Sequence, residues 1–334
     1  MVTYRIGSTG PEVVQLQQRL KELGLYSGPI DGGFGGGTES AVVAYQRSIG
    51  LQADGRVGDD TWAALFAPAA HPGPPPLPSV APPSAPAPAV TTKPLNYRCL
   101  AFTGSIETGA PPPECFAGLT GDFDGQGISF GAIQFALGAG SLGEFLRELD
   151  KRVLGLLDDV FHQNAAVLRS TLALPTDGQL AWAQSIQHAS RHQLDEPWQG
   201  MFKTLGRRQE CQDLQVEFAG RRFTQAVALC REYALWSERA VALMFDIKVQ
   251  NGSISDVVRA QIQQDFAGFG DLDRQTLEVG KMRAVARRRA AVCNPRWVAD
   301  VLVRKMTIAD GEGVIHGRSY HLDADYGIRL VEFR

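Results

Sequence analysis

The sequence predicts a mainly helical protein in two parts, a small three-helix bundle and a larger α+β body with a short β-hairpin, joined by a Pro-rich linker. Three observations predict this. Eleven of the chain's 19 prolines fall between residues 68 and 94. A turn motif, D-G-x-x-G-x-x-T, occurs twice before that segment, each time ahead of an apolar run. Beyond it, apolar residues recur at helical spacing along most of the chain, interrupted by one glycine-rich stretch.

The length of 334 residues accommodates two domains. A hydrophobic fraction of 44% and a charged fraction of 21% suit a globular chain with a sizeable core. The net charge of −3 disfavours a nucleic-acid partner. No run of eighteen apolar residues occurs, so membrane insertion is not expected. The N-terminus shows no basic region followed by an apolar stretch, so no signal peptide is expected. Five cysteines (Cys99, Cys115, Cys211, Cys230, Cys293) are scattered and odd in number, with no Cys-x-x-Cys spacing. They read as incidental thiols, with a Cys99–Cys115 bridge left open.

The expected divisions are a head at 1–67, a linker at 68–96 and a body at 97–334. In the head, Val13, Leu16, Leu20 and Leu23 form one helical stripe, opened by Pro11 and closed by Gly24. Asp31-Gly32 leads through Gly35 to Thr38 and a second helix; Asp54-Gly55 leads through Gly58 to Thr61 and a third. Asp-Gly supplies a tight turn, the second glycine a free φ and the threonine a helix N-cap. The linker, rich in a residue that lacks a backbone donor, spans at most about 3 Å per residue.

The head resembles the three-helix peptidoglycan-binding domain of cell-wall hydrolases. The matching pieces are Gly10-x-Glu12-Val13-x-x-Leu16-Gln17, Ile30-Asp31-Gly32-x-Phe34-Gly35-x-x-Thr38 and Asp54-Gly55-x-Val57-Gly58-x-x-Thr61-Trp62. The resemblance implies bacterial peptidoglycan as partner. Asp31, Phe34, Tyr45 and Trp62 are candidates to line a ligand groove, and core packing accounts for the aromatic residues as well.

In the body, Ser141-Leu-Gly-Glu144 reads as a capping box ahead of a helix. Further helices are expected at 180–192, 237–250, 254–266, 276–292 and 295–306, after a first helical piece near 97–109. Residues 121–135 alternate like a short hairpin after a glycine-rich turn. DGEG at 310–313 reads as a turn between terminal strands. Glu107 stands where Pro111–Pro113 stop the first helix, beside apolar Phe102 and Ile106. Such neighbours would keep a carboxyl protonated, as a general acid requires. Asp124, 17 residues on, lies in a turn that should keep it ionised. Two carboxyls in contrasting surroundings suit glycosidic bond cleavage.

That stretch, Asp124-Gly-Gln-Gly-Ile-Ser129-Phe-Gly-Ala-Ile-Gln-Phe135 with Glu107 upstream, resembles the active-site region of family 46 chitosanases, in the lysozyme-like superfamily. The resemblance implies a lysozyme-like body with Glu107 as general acid, Asp124 as general base and Ser129 holding the attacking water. It implies inversion, with carboxyls about 6.5–9.5 Å apart. LMFDIKVQNG (243–252) resembles that family's buried aspartate helix. Asp246 should therefore be inward-facing, with a partner from Arg283, Arg287, Arg288 or Arg289; Arg288 is the expected choice. Catalytic support and a plain structural ion pair are both open for it.

Asp122 is an alternative to Asp124, and Glu114 a poorer alternative to Glu107. His188 and His192, expected four apart on a helix, lack a third ligand, so no metal or other cofactor is expected. Together these readings describe an endolysin-like, muramidase-like peptidoglycan hydrolase acting as a monomer. The alternatives are a chitosanase with a wall-binding module, a lytic transglycosylase and a non-catalytic wall-binding protein. The missing leader is similar to phage endolysins, so action at the cell wall is expected after holin-dependent release from a host cytoplasm, or after delivery by a secretion machine.

Overall fold

The structure is a computed structural model that describes residues 3–5, 7–23, 25–26, 30–49, 51, 54–66, 89–122, 125–188 and 192–333. Most of the expected linker and Asp124 lie outside the described residues. The chain divides into two compact units, Met1–Pro82 and Pro83–Arg334.

In the first unit, helices α1 (Pro11–Glu22), α2 (Gly36–Ser48) and α3 (Asp59–Phe66) surround a core of Val13, Leu16, Leu20, Phe34, Val42, Tyr45, Val57 and Leu65. The internal repeat is organised by two buried glutamines. Gln17 Nε2 donates to Asp31 Oδ1 at 2.9 Å, to the Gly33 carbonyl at 3.0 Å and to Thr38 Oγ1 at 3.3 Å, while its Oε1 accepts from Gly32 N at 2.9 Å. Gln46 repeats the pattern on Asp54, Arg56, Thr61 and Gly55 at 2.9, 2.8, 3.2 and 3.0 Å. Thr38 and Thr61 are therefore acceptors for a buried amide inside the first helical turn, not the expected N-caps. The left-handed positions are the first glycines, Gly32 and Gly55 (φ 71° each), not the second.

In the second unit, a 3-10 turn at Ala89–Thr92 precedes α4 (Leu95–Thr108). Strands β1 (Leu119–Thr120), β2 (Ser129–Phe130) and β3 (Phe135–Ala136) form a three-stranded antiparallel sheet, one strand more than the expected hairpin. Then come α5 (Ser141–Arg152), α6 (Leu156–Phe161), α7 (Ala165–Leu172), α8 (Thr176–Ser185), α9 (Trp198–Arg207), α10 (Gln209–Glu232), α11 (Glu238–Gln250), α12 (Asp256–Ala267), α13 (Arg274–Ala291) and α14 (Val298–Asp310). The hairpin β4 (Glu312–Ile315) and β5 (Arg318–His321), then α15 (Leu322–Tyr326), complete it. The architecture is the mainly helical α+β class expected. No helix among the described residues is long and apolar enough to cross a membrane.

Ser141 does not build a capping box. Its hydroxyl bonds the backbone of Ala136 at 3.0 and 3.2 Å, tying β3 to α5. At the other end of the chain, Gly311 terminates α14, and the terminal hairpin turns at His316-Gly317 rather than at DGEG. All five cysteines are free and four are buried.

Two hydrophobic clusters fill the body. One joins α4, α10, α11, α13 and the terminal hairpin; the other joins the three-stranded sheet to α5–α9. Ile133 packs against both. The segment 131–134 is thus the seam between two lobes, and α4 presses onto it so closely that a Cβ on Gly104 would lie 2.7 Å from Ala132 Cβ. Buried Gln215 of α10 pins the seam, accepting from Ala132 N at 2.8 Å and donating to the Phe116 carbonyl at 2.9 Å.

Candidate active site

Glu107 occupies the last turn of α4, which Gly109 closes in a left-handed conformation. Its side chain is 30% exposed, and its Oε1 lies 2.7 Å from Arg304 Nη1. The sequence pointed to apolar surroundings; instead Phe102 and Ile106 face the core and the Glu107 carboxyl meets a guanidinium.

Arg304, on α14, is only 3% exposed. Its Nε reaches both oxygens of Asp246 at 3.0 and 3.1 Å, and its Nη2 reaches Oδ1 at 2.5 Å. Lys305 Nζ bonds Asp246 Oδ2 and also Gln250 Oε1 at 2.6 Å. Thr103 Oγ1, from α4, lies 3.3 Å from Asp246 Oδ1. Asp246 is wholly buried on α11, as expected of an acid interrupting an apolar run. Burial opposes its charge, yet Arg304 and Lys305 prevail and hold its carboxyl at about 2. Burial lowers the Lys305 ammonium from its ordinary value.

The expected partner Arg288 is a correction. It holds Asp265 of α12 at 2.6 and 2.7 Å, and Arg283 holds Asp310 at 2.6 Å. The partners of Asp246 are Arg304 and Lys305. Their signal was present: adjacent cations interrupt the apolar run VADVLVRKM as Asp246 interrupts its own, and a buried acid needs buried bases.

In the three-stranded sheet, Ser129 begins β2, paired with Thr120 and Ala136. Asp124 lies outside the described residues, but both flanks of its turn are held. Asp122 N donates to Gln187 Oε1 at 2.7 Å, and the Asp122 Oδ1 accepts from Gly125 N at 2.7 Å and Gly127 N at 3.1 Å. Gly125 and Gly127 take φ of 82° and 73°, which side chains disfavour. The Asp122 carboxylate is thus engaged in shaping the turn, which argues against it as a base. Glu114 is likewise engaged, by Arg207 at 2.7 and 2.9 Å.

His188 and His192 are not on a helix, because α8 ends at Ser185. They lie in the strap closed by the Gln187–Leu194 bridge, where His192 Nδ1 bonds the Asp122 carbonyl. Among the described residues no group of three or more His, Cys, Asp or Glu is arranged to hold a metal.

In the head, Phe34 (2% exposed) and Tyr45 (8%) are core residues and do not line a groove. Trp62 is half-buried, its ring 5.2 Å from that of Tyr4 and 4.6 Å from that of Phe66. Asp31 is exposed, and the Gln17 amide and Gly33 N–H hold its carboxyl below the usual range.

Among solved structures, the chain is similar to one titled a chitosanase complex (17% identity, TM-score 0.44, covering 67% of this chain and 95% of that one). It is also similar to the Gynuella sunshinyii GH46 chitosanase GsCsn46A in complex with chitotetraose (13%, TM-score 0.41, 69% and 97%). Among curated proteins, it is 47% identical over 57 residues to the N-acetylmuramoyl-L-alanine amidase CwlM of Mycobacterium tuberculosis, covering 17% of this chain and 14% of that protein. It is 48% identical over 59 residues to a spore cortex-lytic enzyme of Halalkalibacterium halodurans, covering 18% of each. The chain thus spans less than a fifth of the length of these relatives. Residues 9–65 match the putative peptidoglycan binding domain.

Proposed function

We propose that this chain is a cell-wall enzyme that hydrolyses the β-1,4-glycan backbone of peptidoglycan, with the head as wall tether. The observation that carries this reading is the placement of Glu107. It is a partly exposed carboxyl at a helix terminus, fixed by an arginine that a buried aspartate immobilises. A surface ion pair needs no such support; a group that must meet a substrate oxygen within hydrogen-bond reach does. The match of residues 9–65 supports the choice of wall glycan, because tethering raises local substrate concentration without adding catalytic contacts.

In the proposed mechanism Glu107 donates its proton to the glycosidic oxygen as the bond to the anomeric carbon breaks. Water attacks that carbon from the opposite face and gives its proton to Asp124, with the Ser129 hydroxyl orienting it; the product anomer is inverted. Arg304 then stabilises the anionic Glu107 until solvent reprotonates it.

The test is digestion of purified sacculi, and of chitosan in parallel, by wild type, Glu107→Gln and Asp124→Asn, with products identified by mass spectrometry. New reducing-end sugars from sacculi, lost in both variants, are expected. Anhydro-sugar ends that persist in Asp124→Asn would instead mark a transglycosylase, and cut peptides on intact glycan would reject glycosidase action.

A further inference from the structure

The β4–β5 hairpin, which no expectation gave a role, packs on the end of α4 that carries Glu107. Arg318 Nη1 donates to the Gly109 carbonyl at 3.1 Å, two residues past Glu107, and Tyr320 OH lies 3.4 Å from the Ser105 carbonyl. The Tyr320 ring meets Phe102 edge-on at 5.8 Å. Burial pushes the Tyr320 hydroxyl up, against the Arg318 and Arg304 charges that both act on it. Two guanidinium groups therefore meet the last turn and cap of α4, Arg304 at the Glu107 carboxylate and Arg318 at the Gly109 carbonyl, and they differ in one respect. Arg304 is saturated by carboxylates, whereas Arg318 forms no ion pair among the described residues. Arg207, Arg283 and Arg288 on the same body each hold a carboxylate, while Arg147 and Arg239, like Arg318, bond a backbone carbonyl.

Arg318 is also pre-positioned. One N–H is fixed by a backbone carbonyl, and its guanidinium lies 5.5 Å from the Tyr320 ring centroid. A half-buried guanidinium with spare N–H groups suits a carboxylate, and little side-chain freedom is lost on binding it. It also disfavours a substrate carrying an ammonium on every sugar.

We propose that Arg318 is a specificity residue that binds a carboxylate of the glycan beside Glu107, selecting acidic glycans over polycationic ones. This rests on the glycan-cleaving reading of the site. Wall glycan can present that carboxylate from the lactyl group of a peptide-free muramic acid or from a stem peptide. The same chemistry would recognise either.

The experiment is calorimetric titration of the full chain with three neutralised ligands. These are a muramic-acid disaccharide with a free lactyl carboxylate, the same disaccharide with a stem peptide attached, and an uncharged N-acetylglucosamine dimer. The proteins are wild type, Arg318→Ala and Arg318→Gln; glutamine keeps a donor for the Gly109 carbonyl but removes the charge. Both variants are expected to bind at least one acidic ligand about tenfold more weakly, with the uncharged dimer unchanged. The ligand affected identifies the carboxylate. Wild-type affinity of Arg318→Gln for both acidic ligands would overturn the proposal and leave Arg318 a brace. Equal losses on all three ligands, or no wild-type binding of either acidic one, would also overturn it. Binding as expected without cleavage of sacculi would instead remove the hydrolytic reading alone.

Discussion

Replacing Asp246 with asparagine removes one charge from the interior and almost no volume. Arg304 and Lys305, 3% and 0% exposed, would then share a site with no buried anion. Breaking a buried pair by removing one partner costs about 3–5 kcal/mol. An independent figure comes from the carboxyl itself: depression from 3.8 to about 2 corresponds to about 2 kcal/mol of favourable interaction with the charged form. The asparagine oxygen can still accept one bond from Arg304, which places the expected loss near 3 kcal/mol. For a unit of this size that lowers the melting temperature by about 6–12 °C. Arg304 would also lose most of the contacts that aim Nη1 at Glu107, so kcat on sacculi should fall at least tenfold in enzyme that is still folded. The assay pairs thermal unfolding with kcat measured well below the lower melting temperature. A variant that melts within 2 °C of wild type and turns over normally would refute the reasoning that the buried network holds the site.

The same carboxyl dictates an acid response. Its folded value is depressed, so its contribution is fully present above pH about 4 and is lost as pH falls through about 2; the stability gap between wild type and Asp246→Asn should close over that window in acid-unfolding curves. In the head, Gln46→Leu strands Gly55 N and the groups on Asp54 and Thr61, costing about 1–3 kcal/mol, and amide exchange at Gly55 should accelerate at least tenfold. Gly104→Ala would force α4 off the seam at Ala132, costing about 1–3 kcal/mol and lowering kcat because Glu107 is one turn onward. Gly220→Ala, in open space on α10, should match or exceed wild-type stability in the same unfolding measurement.

What could be read in advance followed from local chemistry. Glu238, Asp256 and Arg274 begin helices close to where apolar periodicity placed their starts, with Ser237, Ser255 and Asp273 capping them. Asp246 was found because an acid inside an apolar run has nowhere else to go. Its partner was misassigned for a matching reason. Arg288 lies in a conspicuous arginine cluster, but conspicuous arginines are solvated, while Arg304 is hidden inside a short apolar stripe. The 24-residue helix α10 is not among the expected helices; its buried face mixes Gln212 and Gln215 with Cys211, Leu214, Ala219, Ala226 and Leu229, and the two glutamines donate to the Gly206 and Phe116 carbonyls. Gln17, Gln46 and Ser141 are similar: each satisfies backbone groups of a neighbouring turn or strand, five to fifteen residues away, that apolar periodicity does not register. The terminal hairpin was visible as strands and silent as function, since only the tertiary structure brings Arg318 to Gly109.

A crystal structure of Glu107→Gln with a peptidoglycan-derived oligosaccharide would bear on the whole scheme. The sugar chain is predicted to cross the seam with one glycosidic oxygen about 3 Å from the residue 107 amide and Asp124 on the opposite face of that ring, about 6.5–9.5 Å away. Saccharide bound to the body elsewhere, or residues 107 and 124 opening onto separate surfaces, would contradict it.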